Sequence, residues 1–170
     1  IEMIGMPNSK LLTIAVPAYN AASYLHTCLD SLVRSGDEVE VLVVNDGSKD
    51  DTAKIADEYA AKYPTIVKAI HKENGGHGSA VNTGIENATG IYFKVVDSDD
   101  WVKEDAYLTI LEKLRELTGG VDTLDLLISN FVYEKEGERR KKVMRYKHVL
   151  PEYRMFGWED VGRFHVGQYI

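Results

Sequence analysis

The chain has 170 residues, 44% hydrophobic and 28% charged, the balance of a folded domain rather than a disordered tract. A net charge of −7, from 20 Lys+Arg against 27 Asp+Glu, repels a phosphate backbone and argues against a nucleic-acid partner. The single cysteine, Cys28, rules out an internal disulfide and a cysteine-built zinc site, and no apolar run approaches the ~18 residues of a membrane span. A soluble domain of a reducing, cytoplasmic compartment is expected, and the opening at Ile1 and the stop at Ile170 in mid-pattern suggest a piece of a longer protein.

Residues 11–16 read as a first strand, and Ala21, Leu25, Cys28, Leu29 and Leu32 follow at helical spacing, with Gly36 as the stop. Residues 39–44 form a second strand. Ser48 and Asp51 make a capping box for a helix whose face is Ile55, Tyr59 and Tyr63, ended by Pro64. After a third strand at 66–70, Val81, Ile85 and Ala88 predict a short helix closed by Gly90. A fourth strand at 91–96 is followed by a helix with the stripe Tyr107, Leu111 and Leu114, near Leu117, and residues 124–132 are a fifth strand. This alternation predicts a doubly wound, mainly parallel sheet, several of its strands apolar nearly throughout, as when helices cover both faces. Residues 1–133 carry a net −10, residues 134–147 a net +4 and residues 148–170 a net −1. The organisation is therefore expected to change near Glu134, with one domain over 1–133 and the start of another region over 134–170. Within the latter, 133–138 reads as a charged turn and 142–149 as an extended segment.

In an open parallel sheet the ligand site lies beyond the carboxyl ends of the strands. The first four predicted strands are followed by Pro17-Ala18-Tyr19-Asn20, by Asn45-Asp46-Gly47-Ser48, by the stretch His71 to Gly78, and by Asp97-Ser98-Asp99-Asp100. Along an extended segment residues two apart share a face, so Asp97 and Asp99 converge at about 7 Å between Cα atoms. Carboxylates that close favour a cation between them, and Mg2+ or Mn2+ suits oxygen ligands completed by water and substrate phosphates. A helix cap explains one of these aspartates but not the set. Asp46 stands where nucleotide folds place a ribose reader, although Asn-Asp-Gly is also a plain turn tripeptide. Gly75-Gly76-His77-Gly78 ahead of a helix reads as a phosphate cradle, with His77 either a donor to phosphate or a solvated loop residue. Pro17, Tyr19 and Asn20 read as a turn with Asn20 capping the helix, or as one wall of a base pocket with Tyr19 as its flat surface. Cys28, Trp101 and Trp158 read as packing residues, and the basic run Arg139-Arg140-Lys141-Lys142 as a solvated face or a contact for anionic headgroups.

Taken in order, Val16-Pro17-Ala18-Tyr19-Asn20, Val44-Asn45-Asp46-Gly47-Ser48, Asn74-Gly75-Gly76 with Ala80 and Asn82, and Asp97-Ser98-Asp99-Asp100 resemble the motifs of glycosyltransferase family 2 over residues 10–117. The resemblance implies the GT-A type of fold, a nucleotide-binding α/β/α sandwich around a mainly parallel, Rossmann-like sheet. It implies transfer of a sugar from a nucleotide diphosphate donor to an acceptor, commonly with inversion. By the same resemblance Pro17, Tyr19 and Asn20 line the base pocket, Asp46 meets the base or ribose, and Asn74 and Gly76 edge the donor site. Asp97, with Ser98, contacts ribose or sugar. Asp99, with Asp97, holds Mg2+ or Mn2+ on the diphosphate, and Asp100 supports that loop. A UDP-sugar is the default donor and a glycan, lipid-linked or other hydroxyl group the acceptor. Cell-surface polysaccharide or glycan synthesis, with peripheral contact at the cytoplasmic face of a membrane, is the implied setting. Inverting transfer needs a carboxylate to take the acceptor proton. Asp160 is the candidate within the chain, although Phe156-Gly157-Trp158 ahead of it departs from the family's pattern, and a base beyond residue 170 is the alternative.

Two rivals are weaker. A nucleotidyltransferase would want a phosphate-gripping Lys or Arg in the 17–20 loop, which has none, and a haloacid-dehalogenase-type phosphatase needs an aspartate after the first strand. A non-catalytic nucleotide-sugar-binding module stays open on these residues.

Overall fold

The structure is a computed structural model and describes residues 10–118, 124–134 and 141–161. Four parallel strands, β1 (Lys10–Ala18), β2 (Val39–Asp46), β3 (Val67–Lys72) and β4 (Gly90–Val95), lie in the spatial order β3-β2-β1-β4. Helices α1 (Leu25–Leu32), α2 (Thr52–Lys62) and α3 (His77–Glu86) connect them, and α4 (Glu104–Thr118) follows β4. The central strands β1 and β2 are buried along nearly their whole length. The edge strands are not, and Ile91 and Phe93 of β4 are exposed. Full coverage of both faces, expected for several of the strands, is thus a property of the central pair.

Strand order moves one way from β1 through α1 and α2 to β3, then returns through α3 to β4 on the far side of β1. Right-handed crossovers therefore put α1 and α2 on one face and α3 on the other. Leu25, Cys28, Leu29 and Leu32 bury α1; Ile55, Ala56 and Tyr59 bury α2; Tyr107, Leu111 and Leu114 bury α4. The Arg34–Glu104 ion pair at 2.6 Å and a bond from Tyr107 Oη to Leu32 O at 3.4 Å join α4 to α1. These three stripes match their helical spacing in the sequence. The stripe expected for α3 does not: Ile85 is 54% exposed, while Ala80 and Gly84 are buried. A Cβ on Gly84 would stand 2.6 Å from the Cβ of Ala15, so this helix comes too close to the sheet for a large side chain.

Local caps also differ from expectation. Asp50, rather than Ser48 with Asp51, serves the start of α2: its Oδ1 accepts from the Thr52 N–H at 3.0 Å and from Thr52 Oγ1 at 2.6 Å. The Ser48 N–H donates instead to Asn45 Oδ1, three residues back, at 3.1 Å and so ties the turn at the end of β2. Trp101 and Trp158, expected to pack, are 50% and 80% exposed, because neither lies on a buried stripe. Cys28 is in the core as expected.

The fifth strand is corrected. Residues 124–130 carry no regular structure, and only β5 (Phe131–Tyr133) forms, antiparallel to β6 (Lys142–Met144). An apolar run becomes a strand only beside an edge that takes its N–H and C=O groups. Among the described residues only the short β6 does so. Of the 142–149 segment only β6 is a strand, and most of the charged turn, with Arg139 and Arg140, lies outside the described residues. The chain divides into two compact units after Glu116. Among the described residues the second holds β5, β6 and one 3-10 turn, Trp158–Asp160. No described helix is long and apolar enough to cross a membrane.

Candidate functional site

The carboxyl ends of β1 to β4 share one edge of the sheet, and the loops that leave them are tied together. The Asn20 N–H donates to Ser48 Oγ at 3.0 Å, and the Lys49 N–H donates to Asn20 Oδ1 at 2.9 Å. Asn20 sits at φ +49°, a left-handed conformation that asparagine tolerates, and it does not cap α1, which starts at Leu25. Tyr19 beside it is 52% exposed, so its ring face is available to a ligand. Asn74 Nδ2 donates to Asp46 O at 2.9 Å. Gly47 makes that approach possible: at φ +70° it would place a Cβ 2.8 Å from the Asn74 nitrogen. His77 Nε2 lies 2.9 Å from Asp97 Oδ1. Pro17, Tyr19, Asn20, Asp46, Asn74, Gly76, Asp97, Ser98 and Asp99 are therefore all on or beside one strand-end edge.

Asp46 is buried and its oxygens are largely occupied. Lys72 Nζ donates to Oδ1 at 2.6 Å, the Gly75 N–H to Oδ1 at 2.9 Å and the Gly76 N–H to Oδ2 at 2.7 Å. Burial alone would raise its pKa, but the bond from Lys72 and those from the two glycine N–H groups outweigh that and hold the carboxyl below its ordinary 3.8. The expected phosphate cradle is corrected on this point: the N–H groups of Gly75 and Gly76 point at Asp46, not outward to an anion. His77 is the first residue of α3 and the member of that loop that meets Asp97.

The carboxylate cluster also differs from its expected geometry. β4 ends at Val95, and the Asp100 N–H donates to Asp97 O at 2.9 Å, so residues 97–100 form a turn where an extended segment was assumed. The turn crowds three acids rather than pairing two. Burial first, then the Asp99 and Asp97 charges, push the Asp100 carboxyl upward, with Lys94 pulling the other way. The same three carboxylates add to burial in pushing the Cys28 thiol up to about 12. The helix-capping explanation fails, because α4 begins only at Glu104. Among the described residues no group of three or more His, Cys, Asp and Glu is arranged to hold a metal by itself. Crowded carboxylates with no closed cage fit Mg2+ or Mn2+ that takes its remaining ligands from water and phosphate.

Asp160 belongs to the other compact unit, where its Oδ2 accepts from the Gly157 N–H at 3.1 Å within its own turn. The sequence alone places His71 and Lys72 after the third predicted strand but assigns no role to them or to Asp57. His71 Nδ1 lies 3.1 Å from Asn45 Nδ2, and its Nε2 lies 3.0 Å from Asp57 Oδ1. The signal was register: β3 runs two residues past 70, which sets His71 opposite Asn45 and Lys72 opposite Asp46.

In sequence and in fold the chain is similar to known proteins. A family model described as Glycosyl transferase family 2 matches residues 13–163. Glycosyltransferase GlyA of Streptococcus pneumoniae is 36% identical over 140 residues, covering 82% of this chain and 19% of that protein. Staphylococcus aureus TarS 1-349, solved in complex with UDP-GlcNAc, superposes with a TM-score of 0.56 at 29% identity, over 64% of this chain and 32% of that one. A Pyrobaculum calidifontis mannosyltransferase, PcManGT, solved with GDP-Man and Mn2+, gives a TM-score of 0.53 at 28% identity, over 59% of this chain and 31% of that one. The chain thus spans only a minor part of each of these proteins.

Proposed function

The chain belongs to glycosyl transferase family 2, with the GT-A type of α/β fold, and from this we propose that it carries the donor site of an enzyme that moves a sugar from a nucleotide diphosphate to an acceptor hydroxyl. The observation that carries the reading is the hydrogen-bonded joining of loops from four strand ends, with an exposed tyrosine after β1 and three crowded carboxylates after the neighbouring β4. In this reading the Tyr19 ring lies against the base, and Pro17 and Asn20 shape the wall beside it. Asp46 has three of its four lone-pair directions taken, so it chiefly sets the 74–76 loop and keeps one for base or ribose. Asn74 and Gly76 edge the pocket, and Asp97 with Ser98 meets ribose or sugar. Asp99, with Asp97, would hold Mg2+ or Mn2+. That ion, when bound, supplies Lewis-acid neutralisation of the departing diphosphate.

Transfer with inversion then requires a carboxylate to take the acceptor proton, and Asp160 is the residue proposed for it here. A uridine diphosphate sugar is the preferred donor, supported by relatives solved with UDP-GlcNAc and, for another base, with GDP-Man. The acceptor is proposed to be a glycan or lipid-linked hydroxyl, at the cytoplasmic face of a membrane during surface polysaccharide synthesis.

Calorimetry with uridine diphosphate, with and without Mn2+, tests the donor reading. Chelation should weaken binding about tenfold or more, since the ion and the diphosphate share ligands, and Asp99→Ala should remove most of that dependence. An Asp99→Ala chain as sensitive to chelator as the parent would overturn the assignment. For the base, turnover of a UDP-sugar should fall about a hundredfold or more in Asp160→Asn at unchanged donor affinity, and equal rates would clear Asp160 of the role.

A further inference from the structure

A short row of side chains runs from α2 to the loop at the end of β2. Asn45 is 5% exposed, and its Oδ1 accepts the Ser48 N–H at 3.1 Å. That leaves its Nδ2 facing His71 Nδ1, 3.1 Å away. An amide nitrogen only donates, so His71 Nδ1 must accept, and the ring proton belongs on Nε2. Nε2 stands 3.0 Å from Asp57 Oδ1, an acceptor that favours the same tautomer. On the other side, Ser48 Oγ accepts the N–H of the left-handed Asn20, and Asn20 Oδ1 accepts the Lys49 N–H. With the other tautomer, an N–H would face the Asn45 amide nitrogen. Asn45 would then have to turn its amide over, and Ser48 would lose its acceptor.

We propose that His71 is a positioning residue for donor binding: in the Nε2–H tautomer set by Asp57, it fixes the Asn45 amide and through it the Ser48 and Asn20 turns that receive the nucleoside. It touches no reacting atom, and it lies in the sheet, opposite Asn45 in the β2–β3 register. The role rests on the reading of this edge as a nucleotide diphosphate site.

The test uses nitrogen-15 NMR of the histidine ring in the 170-residue chain, with titrations of uridine and guanosine diphosphate in Mn2+. The parent should show His71 chiefly as the Nε2–H form. His71→Leu, which removes the acceptor, should weaken uridine diphosphate about tenfold, the worth of one hydrogen bond to the buried Asn45, whereas His71→Asn keeps an oxygen near the Nδ1 position and should stay within about threefold of the parent. Asp57→Leu should mix the tautomers and weaken binding. Asp57 is 65% exposed on α2, so that variant carries the comparison should His71→Leu not fold. A ring chiefly in the Nδ1–H form, parent-like binding by His71→Leu or Asp57→Leu, or His71→Asn as weak as His71→Leu would each overturn the proposal. A parent that binds neither diphosphate overturns the donor reading and the positioning role with it, a result distinct from a parent that binds beside an unaffected variant.

Discussion

Asp46 is a charged group almost sealed from water, and it remains ionised because Lys72 and two backbone N–H groups supply what solvent would. Its carboxyl titrates below 3.8 in the fold. A group whose folded pKa lies below the unfolded one adds stability that is complete above the unfolded value and is lost as pH falls through the folded value. The unfolding midpoint should therefore drop as pH is lowered from about 5 past 3.8, and Asp46→Asn should flatten that part of the profile. Asp50, whose carboxyl is also lowered once the bonds from Thr52 and Ala22 outweigh burial, would keep part of the slope. Melts followed by circular dichroism check this, and parallel profiles in parent and variant would count against the assigned bonds. At this scale the acids of the site are legible from residue type and place after a strand. Their partners are not: Lys72 is one charge among many until the register sets it opposite Asp46.

Helical spacing is enough to find α1, α2 and α4, since each buries a broad stripe of large apolar groups and periodicity reports such a stripe. In α3 the same reading selects Ile85, and the helix turns Ala80 and Gly84 inward instead. A close approach to the sheet favours small residues over large ones, and spacing carries no information about interlayer distance. Gly84→Ala should accordingly cost about 1–3 kcal/mol through overpacking against Ala15, while Ile85→Ala should stay within about 0.5 kcal/mol. Denaturant unfolding of the two variants measures the contrast, and equal losses would mean that α3 packs by its apolar face after all. The turn at 97–100 makes the same point at a strand end. Period-two alternation holds only while the strand lasts, and β4 stops two residues before Asp97.

Across the whole molecule, the four-stranded sheet, α1 to α3 and every residue proposed for the donor site lie in the first compact unit, which ends at Glu116, whereas Asp160 lies in the second. Residues 10–118 alone should unfold in one cooperative transition and bind uridine diphosphate within about threefold of the 170-residue chain, because a unit with its own core keeps its own site. A broad transition, or loss of binding in the shorter chain, would show that residues after 118 complete the site. The apolar run at 124–132 marks the limit of inference from pattern: hydrophobicity signals a wish to be covered but does not name the neighbour. What the order of residues determined by itself was the α/β class, the strand-helix alternation and the polar loops at the strand ends, since period, turn residues and position after a strand are local properties. Only the tertiary structure decided which N–H groups meet which carboxylate, which face of α3 is inward and that 124–130 stays outside any sheet. Those outcomes depend on distances between segments far apart in the chain, and no local pattern encodes them.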